Sequence, residues 1–481
     1  MRLAFLLALA PIPACFYSTE SPLPADFATC EAPPEPGVAP AAPTYYRDVK
    51  PIVDRTCAGC HIADGVAPFP LTTYAEVELH KHQAQWAVEH GVMPPWQPAD
   101  CCNDYRDDRS LSPDEIATFT AWVTAGAPEG DPADEPPAPP PAPDRLPRVD
   151  VDVQLAAPFT PSPRVGKDEI RCFLLPHTFV TATYVTGTDL IPSNRRIAHH
   201  AIIVAVSNDK ARELARKDGA DGRPGWDCYG GADELDARGT IGGWQPGDSP
   251  RVFPDGVGAE VKPGTQLLLQ MHYDTGAGAG ADQPRVQLML SDTVERVARG
   301  APVGNPLWFA GEGMEIRAGD PDAMVFFSYD PTRVLGKGGA IDVESVMIHM
   351  HELGTIGRLA ILRADGTTEC LLNILDWDFH WMTTYFLARP VRIHPGDRLY
   401  VECHWDNTRE NQKLVNGEPQ EPRTIGWGAD EEMCGGIIGF SEPVARGPAA
   451  SSGATSEART GAAPTTQRPS AQREQVRGNQ Q

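Results

Sequence analysis

The stretch Lys262-Pro263-Gly264-Thr265-Gln266-Leu267-Leu268-Leu269-Gln270-Met271-His272-Tyr273-Asp274 reads as a turn feeding a strand. Pro presets one backbone angle and Gly supplies a turn conformation closed to bulkier residues. The run behind them is short, apolar and of strand length. The same alternation recurs from 150 to 445, as in the run Ala201–Val206 and the turn His394-Pro395-Gly396-Asp397. Regular turns between short strands predict antiparallel β-sandwiches. The span is too long for one sandwich of roughly 100 residues. Two jelly-roll-like sandwiches are therefore expected, over 150–297 and 298–445.

Outward from this β region the composition changes. Residues 446–481 are rich in Ser, Thr, Gln, Ala and Arg and should be disordered. Residues 129–149, with Glu135-Pro136-Pro137-Ala138-Pro139-Pro140-Pro141, form an acidic proline-rich spacer. Residues 44–128 have helical periodicity and predict a small all-α domain. Residues 15–43 read as a tether, and 1–14 as an export signal, Met1-Arg2 preceding an apolar run that ends before Cys15. Cys15 is a candidate lipidated residue, which implies a periplasmic or outer-membrane-attached lipoprotein. The expected fold class is thus multidomain: one small all-α domain, then two all-β antiparallel sandwiches.

The 481 residues carry a net charge of −24, which disfavours nucleic acid and anionic lipid as partners. No internal apolar run is long enough for a transmembrane helix, so membrane contact is expected only through Cys15. An exported chain with eleven cysteines should pair several of them.

Within the helical region, Cys57-Ala58-Gly59-Cys60-His61 has the spacing of covalent c-type haem attachment. Two thiols can add to the haem vinyl groups while the adjoining imidazole reaches the iron. The competing readings are a redox CxxC, which would call for a thioredoxin-like βαβ context, or a plain disulfide. Ser112-x-x-Glu115 opens a second helix with a capping box, and Ile116, Phe119 and Val123 follow at helical spacing. Met93, 32 residues after His61 in Val92-Met93-Pro94-Pro95-Trp96, is the candidate second axial ligand. His80, His82 and His90 are alternatives, more simply read as helix-surface residues. Residues 44–128 resemble the small class I cytochromes c, which implies His61 as proximal and Met93 as distal ligand. Such an iron has no open position and suits electron transfer.

Five histidines lie in three strand-like contexts: Ala198-His199-His200-Ala201, Gln270-Met271-His272-Tyr273 and Ile348-His349-Met350-His351. Side chains alternate faces along a strand, so His349 and His351 share one and can chelate one metal. His199 and His200 would point apart, so joint ligation needs a strand end or a bulge. His272 can supply a third imidazole to that pair. Met433, in Glu431-Glu432-Met433-Cys434, is the candidate third ligand for His349 and His351. A thioether is soft and favours Cu(I) over Zn(II), and two imidazoles plus a thioether leave room for O2. One HxH or one HH would be weak evidence of a metal; their order together carries the reading. His177, His394 and His404 read as structural or surface residues, and His380 as a residue of the cleft or a support for a ligand.

The order HH, MHYD, HMH, EEMC resembles the copper type II, ascorbate-dependent monooxygenases over about 165–442. The resemblance implies two sandwiches with one copper each. The copper on His199, His200 and His272 would pass electrons. That on His349, His351 and Met433 would bind O2 for insertion into a substrate C–H. It also implies a Cys403–Cys434 disulfide pinning Met433, and ascorbate or another one-electron reductant. The family's peptide-amidating members grip a carboxylate from positions that match Met347, Gly435 and Ile437 here, none able to hold one. The expected substrate is a small molecule other than a peptide terminus, with an attached haem, or an external redox donor protein, supplying electrons. The competing function is a non-oxygenating copper/haem electron-transfer or copper-handling lipoprotein.

Overall fold

The computed structural model describes residues 21–24, 27, 36–137, 144–163, 166–228, 239–276, 278–308, 312–336, 338–412, 418 and 431–444. The expected signal and Cys15, most of the tether, the centre of the proline-rich spacer and the C-terminal tail lie outside them.

The helices come first: α1 (Lys50–Thr56), α2 (Tyr74–Glu89) and α3 (Pro113–Thr124), with the short α4 (Asn208–Leu214) and α5 (Pro331–Val334) further on. The capping box read from Ser112 and Glu115 is present at the start of α3, and Thr73 with Glu76 builds another on α2. Tyr45 and Val49, in the turn ahead of α1, cluster with Val53 of α1 and with Phe119 and Trp122 of α3.

Everything after residue 150 is mainly strand. The strands are β1 (Val151–Gln154), β2 (Asp168–Thr178), β3 (Thr183–Ile191), β4 (Ala198–Val206), β5 (Trp226–Asp227), β6 (Thr240–Trp244), β7 (Arg251–Val252), β8 (Val257–Val261), β9 (Gln266–Asp274) and β10 (Arg285–Ser291). They continue with β11 (Arg296–Val303), β12 (Ala323–Tyr329), β13 (Ile341–His349), β14 (Gly354–Leu362), β15 (Thr368–Ile374), β16 (Tyr385–Ile393), β17 (Arg398–Trp405) and β18 (Gly435–Pro443).

One nine-stranded sheet runs β1-β10-β3-β8-β11-β18-β13-β16, with β7 beside β3. A five-stranded sheet, β5-β2-β9-β4-β6, packs with its first half around Phe159, Ile203, Leu269 and Val286. A four-stranded sheet, β12-β17-β14-β15, packs with its second half around Val346, Leu359, Val401 and Trp405. The opening turn and strand form as expected: Gly264 takes a positive φ and β9 starts at Gln266. β9 is apolar almost throughout because both its faces are covered. Leu267, Leu269 and Met271 enter the sandwich core, and Leu268 enters a second cluster with Val204, Leu214 and Trp226.

Two expectations about fold class are corrected. The described chain is predominantly β with few helices, and no separate small all-α, cytochrome c-like domain stands ahead of the sandwiches. All described residues belong to one compact unit. The physical reason lies in residues 96–106. Pro98 bridges Ile374 on β15, and Tyr105 bridges Leu387 on β16. Those are the edge strands of the two sheets of the second sandwich, so this segment covers edges that would otherwise be open to pairing. A Cys102–Cys370 disulfide and a bond from the Tyr105 hydroxyl to the Leu371 carbonyl (2.9 Å) fasten it there. The sandwiches are not independent either, since β11 pairs in parallel with β8 and makes one sheet common to both.

Candidate metal centres

The first centre stands on the outer face of the five-stranded sheet. β4 and β9 pair antiparallel with His200 opposite His272, and the register shifts between Ala198 and His200. That irregularity is the bulge the adjacent histidines required. It releases His199 from alternation, so both rings turn to one side. His199 Nδ1 lies 3.2 Å from His200 Nδ1, which lies 3.4 Å from His272 Nδ1. The three rings offer nitrogens all within 4.8 Å of one another. Burial first, then the neighbouring His272, pulls the His199 pKa down to about 4. Burial pulls His200 well below its ordinary value. Neutral imidazoles with converging lone pairs are what a metal requires. His272 Nε2 is 2.9 Å from the Asp168 carboxylate on β2, which fixes the proton on Nε2 and leaves Nδ1 as the donor atom.

The second centre lies where β13 ends. Val346 and Ile348 point into the core, so Met347 and His349 take the opposite face. His349 pairs with Gly435 on β18, and His351 bonds to Glu431 and Glu432 just ahead of that strand, so the segment carrying Met433 runs beside the end of β13. The Nε2 atoms of His349 and His351 stand 3.1 Å apart. Burial, then His351, pulls the His349 pKa down to about 3. His351 Nδ1 donates to the Glu431 carbonyl at 2.6 Å. Glu432 accepts from the His351 N–H (3.0 Å), the Leu353 N–H (2.8 Å) and the Trp405 indole (2.8 Å). Met433 is buried, and the Cys403–Cys434 disulfide is present beside it. The donor set fits copper: two imidazole nitrogens converge, and a buried thioether lies on the segment that bonds to His351.

Sequence reading missed Asp168, Glu432 and Met382. Of the loop after β15 it favoured His380, but that ring is exposed and bound to Asp378 (3.1 Å). The inward residue is Met382, with Sδ 2.8 Å from His349 Nδ1. Of the two readings open for His404 the structural one holds: it is buried between Glu402 and Asp322. Met347 and Ile437 flank the second centre through the β13–β18 register, and neither offers a positive charge.

The CxxCH residues lie together at the end of α1. Cys57 and Cys60 are free thiols, whereas the disulfides Cys102–Cys370, Cys172–Cys228 and Cys403–Cys434 among the described residues mark a chain folded in an oxidising compartment. His61 Nδ1 is held 2.9 Å from the Phe69 carbonyl, leaving Nε2 as its donor atom. Met93 is not brought to it by any hydrogen bond among the described residues, and its own N–H goes to Ala87. His80 stacks on Phe69 and His90 on Trp86. A cavity of about 20 Å³ adjoins Cys60, between Arg195, Trp244 and Pro246. It has room for one water. Two free thiols and the open Nε2 of His61 thus lie side by side at the end of α1.

Residues 328–454 match the profile of the copper type II ascorbate-dependent monooxygenase C-terminal domain. The chain is 24% identical over 231 residues to DBH-like monooxygenase protein 2 of Mus musculus, covering 45% of this chain and 35% of that protein. It is 25% identical over 279 residues to a DBH-like monooxygenase protein 2 of Homo sapiens, covering 55% of this chain and 51% of that one. The chain therefore spans about half or less of these relatives. Among solved structures, the major capsid protein P2 of bacteriophage PM2 aligns with a TM-score of 0.25 and 11% identity, over 62% of this chain and 98% of that one. A likeness that slight carries no argument. The second half of the β region thus has the sequence character of a copper monooxygenase domain.

Proposed function

We propose that this chain is a two-site copper monooxygenase acting on a small-molecule C–H bond. The observation that supports it best is the pairing of two different donor sets: three convergent Nδ1 atoms on His199, His200 and His272, and two convergent Nε2 atoms on His349 and His351 beside buried Met433. Bound copper would supply one-electron redox chemistry that turns a C–H, O2, two electrons and two protons into C–OH and water, with ascorbate or an external redox protein as reductant. The chain's residues do the rest. Asp168, the Glu431 carbonyl and Glu432 set tautomer and ring direction, and burial lowers the pKa of His199, His200 and His349. No Arg or Lys occupies Met347, Gly435 or Ile437, which supports a substrate without a terminal carboxylate.

The finer reading adds a covalent c-type haem on Cys57 and Cys60 with His61 as iron ligand, in a periplasmic protein. Its support is that these two thiols stay free in a chain that forms disulfides elsewhere. A pyridine haemochrome spectrum of protein matured in a periplasm tests it, and colourless protein rejects it.

The test of the oxygenase reading is metal analysis followed by O2 uptake with ascorbate across a panel of small C–H substrates. Two coppers per chain and substrate-dependent uptake, lost in Met433→Ile, are expected. Two coppers with no uptake under any reductant would favour a non-oxygenating electron carrier.

A further inference from the structure

Met382 occupies a place that ordinarily belongs to an oxygen. A metal-bound imidazole is neutral and carries one N–H. At His349 the Nε2 atom faces His351, so the proton sits on Nδ1, and the atom facing Nδ1 is Met382 Sδ at 2.8 Å. The comparable N–H of His351 meets the Glu431 carbonyl, and that of His272 meets the Asp168 carboxylate. Carboxylates and carbonyls raise the basicity of the ring they accept from. A thioether is a weak acceptor. Met382 is half-buried, and it packs on the core of the second sandwich. Its loop is clamped from outside the sandwich: the Gln97 amide donates to the Asp378 carbonyl (2.8 Å) and accepts from the Asp378 N–H (3.4 Å).

We propose that Met382 is a positioning residue of the second centre, whose sulfur accepts the Nδ1–H of His349, fixes that ring and leaves it a weaker donor that favours the reduced metal. This rests on the copper reading of His349, His351 and Met433. The experiment uses the full chain in a His200→Ala background, so that the second centre is read alone, with Met382→Gln and Met382→Leu variants. Cu(I) affinity is measured by chelator competition, and Cu(II) affinity by titration followed by electron paramagnetic resonance.

An amide oxygen in Met382→Gln should lower the ratio of Cu(I) to Cu(II) affinity about tenfold, equivalent to about 59 mV for one electron. Loss of any acceptor in Met382→Leu should weaken both affinities by roughly 10–100-fold. X-ray absorption of the Cu(I) form should show sulfur that vanishes in Met433→Ile and persists in Met382→Leu. Unchanged affinities in both Met382 variants would overturn the proposal. So would sulfur that survives Met433→Ile and disappears in Met382→Leu, because Met382 would then be the ligand itself. Failure of the parent to take up copper at this centre removes the functional reading and this one with it. Normal uptake with indifferent Met382 variants removes only this one.

Discussion

Replacing Glu432 with Gln tests whether the second centre is held by its supports. Glu432 is 1% exposed and accepts three hydrogen bonds, from the His351 and Leu353 backbones and the Trp405 indole. Gln keeps one carbonyl oxygen. Whichever way the amide turns, its NH2 faces at least one donor that a carboxylate oxygen had accepted. One unsatisfied buried donor costs about 1–3 kcal/mol, and bonds to a neutral acceptor are roughly half as strong as charge-assisted ones. Against this, burial already pushes the Glu432 carboxyl up from its ordinary value, so its charge is expensive to keep and Gln removes that cost. The net expectation is about 1–3 kcal/mol of lost stability, within the usual total of about 5–15. The variant should fold. Glu432→Ala strips all three acceptors, about 3–9 kcal/mol, and should not fold stably. Because Glu432 fixes the His351 backbone, copper affinity at the second centre should fall about 10–100-fold in Glu432→Gln, with the first centre unchanged. Urea unfolding followed by tryptophan fluorescence and copper titration in the His200→Ala background read the two quantities. Stability within about 0.5 kcal/mol of the parent together with unaltered affinity would refute the reasoning.

Asp168→Asn should weaken copper at the first centre by about 10–100-fold and leave the second unmoved, as chelator competition on the Met433→Ile background would show. The paired substitution Cys102→Ser and Cys370→Ser should cost about 2–5 kcal/mol and open residues 96–106 to limited proteolysis, because the bond closes a 268-residue span. A pH effect comes from the cluster of Glu402, His404, Arg358, Asp322 and Tyr400. Burial raises the Glu402 carboxyl, but hydrogen bonds from His404, Ser21, Tyr400 and Arg358 outweigh it and hold the pKa down at about 2. That stability is present above the unfolded value near 4.5 and lost as pH falls toward 2. Burial lowers His404, while bonds to Glu402 and Asp322 raise it further, so its contribution is lost as pH climbs above about 6.5. Urea midpoints should therefore fall below pH 4.5 and again above 6.5, and the acid limb should flatten in Glu402→Gln.

What could be read from the sequence was what depends on neighbours along the chain. His349 and His351 share a face because strands alternate, and the requirement for a bulge at His199–His200 followed from the same rule. The turn before β9 and the capping box of α3 are equally local. Asp168, Glu432 and Met382 were invisible for the opposite reason. Each meets its histidine across a strand pairing or a loop, at separations of 104, 81 and 33 residues, and no periodicity marks them. The helical N-terminal region misled for a related reason. Its periodicity is real, but residues 96–106 are short and carry no pattern of their own, and they decide that the helices belong to the β body.

That docking bears on the chemistry. The segment that closes both edges of the second sandwich also delivers Gln97 to the loop bearing Met382. The outer partner of the first centre is a carboxylate anchored on β2 of its own sheet. The two centres therefore present different electronic environments from the same residue type. Around His272 a charged acceptor strengthens the imidazole as a donor, which favours the higher oxidation state. Around His349 the acceptor is a thioether, a weak one, which would favour the lower. If both centres hold copper as proposed, electrons would run downhill from the first to the second under that ordering, which the outer partners would set in addition to the soft Met433.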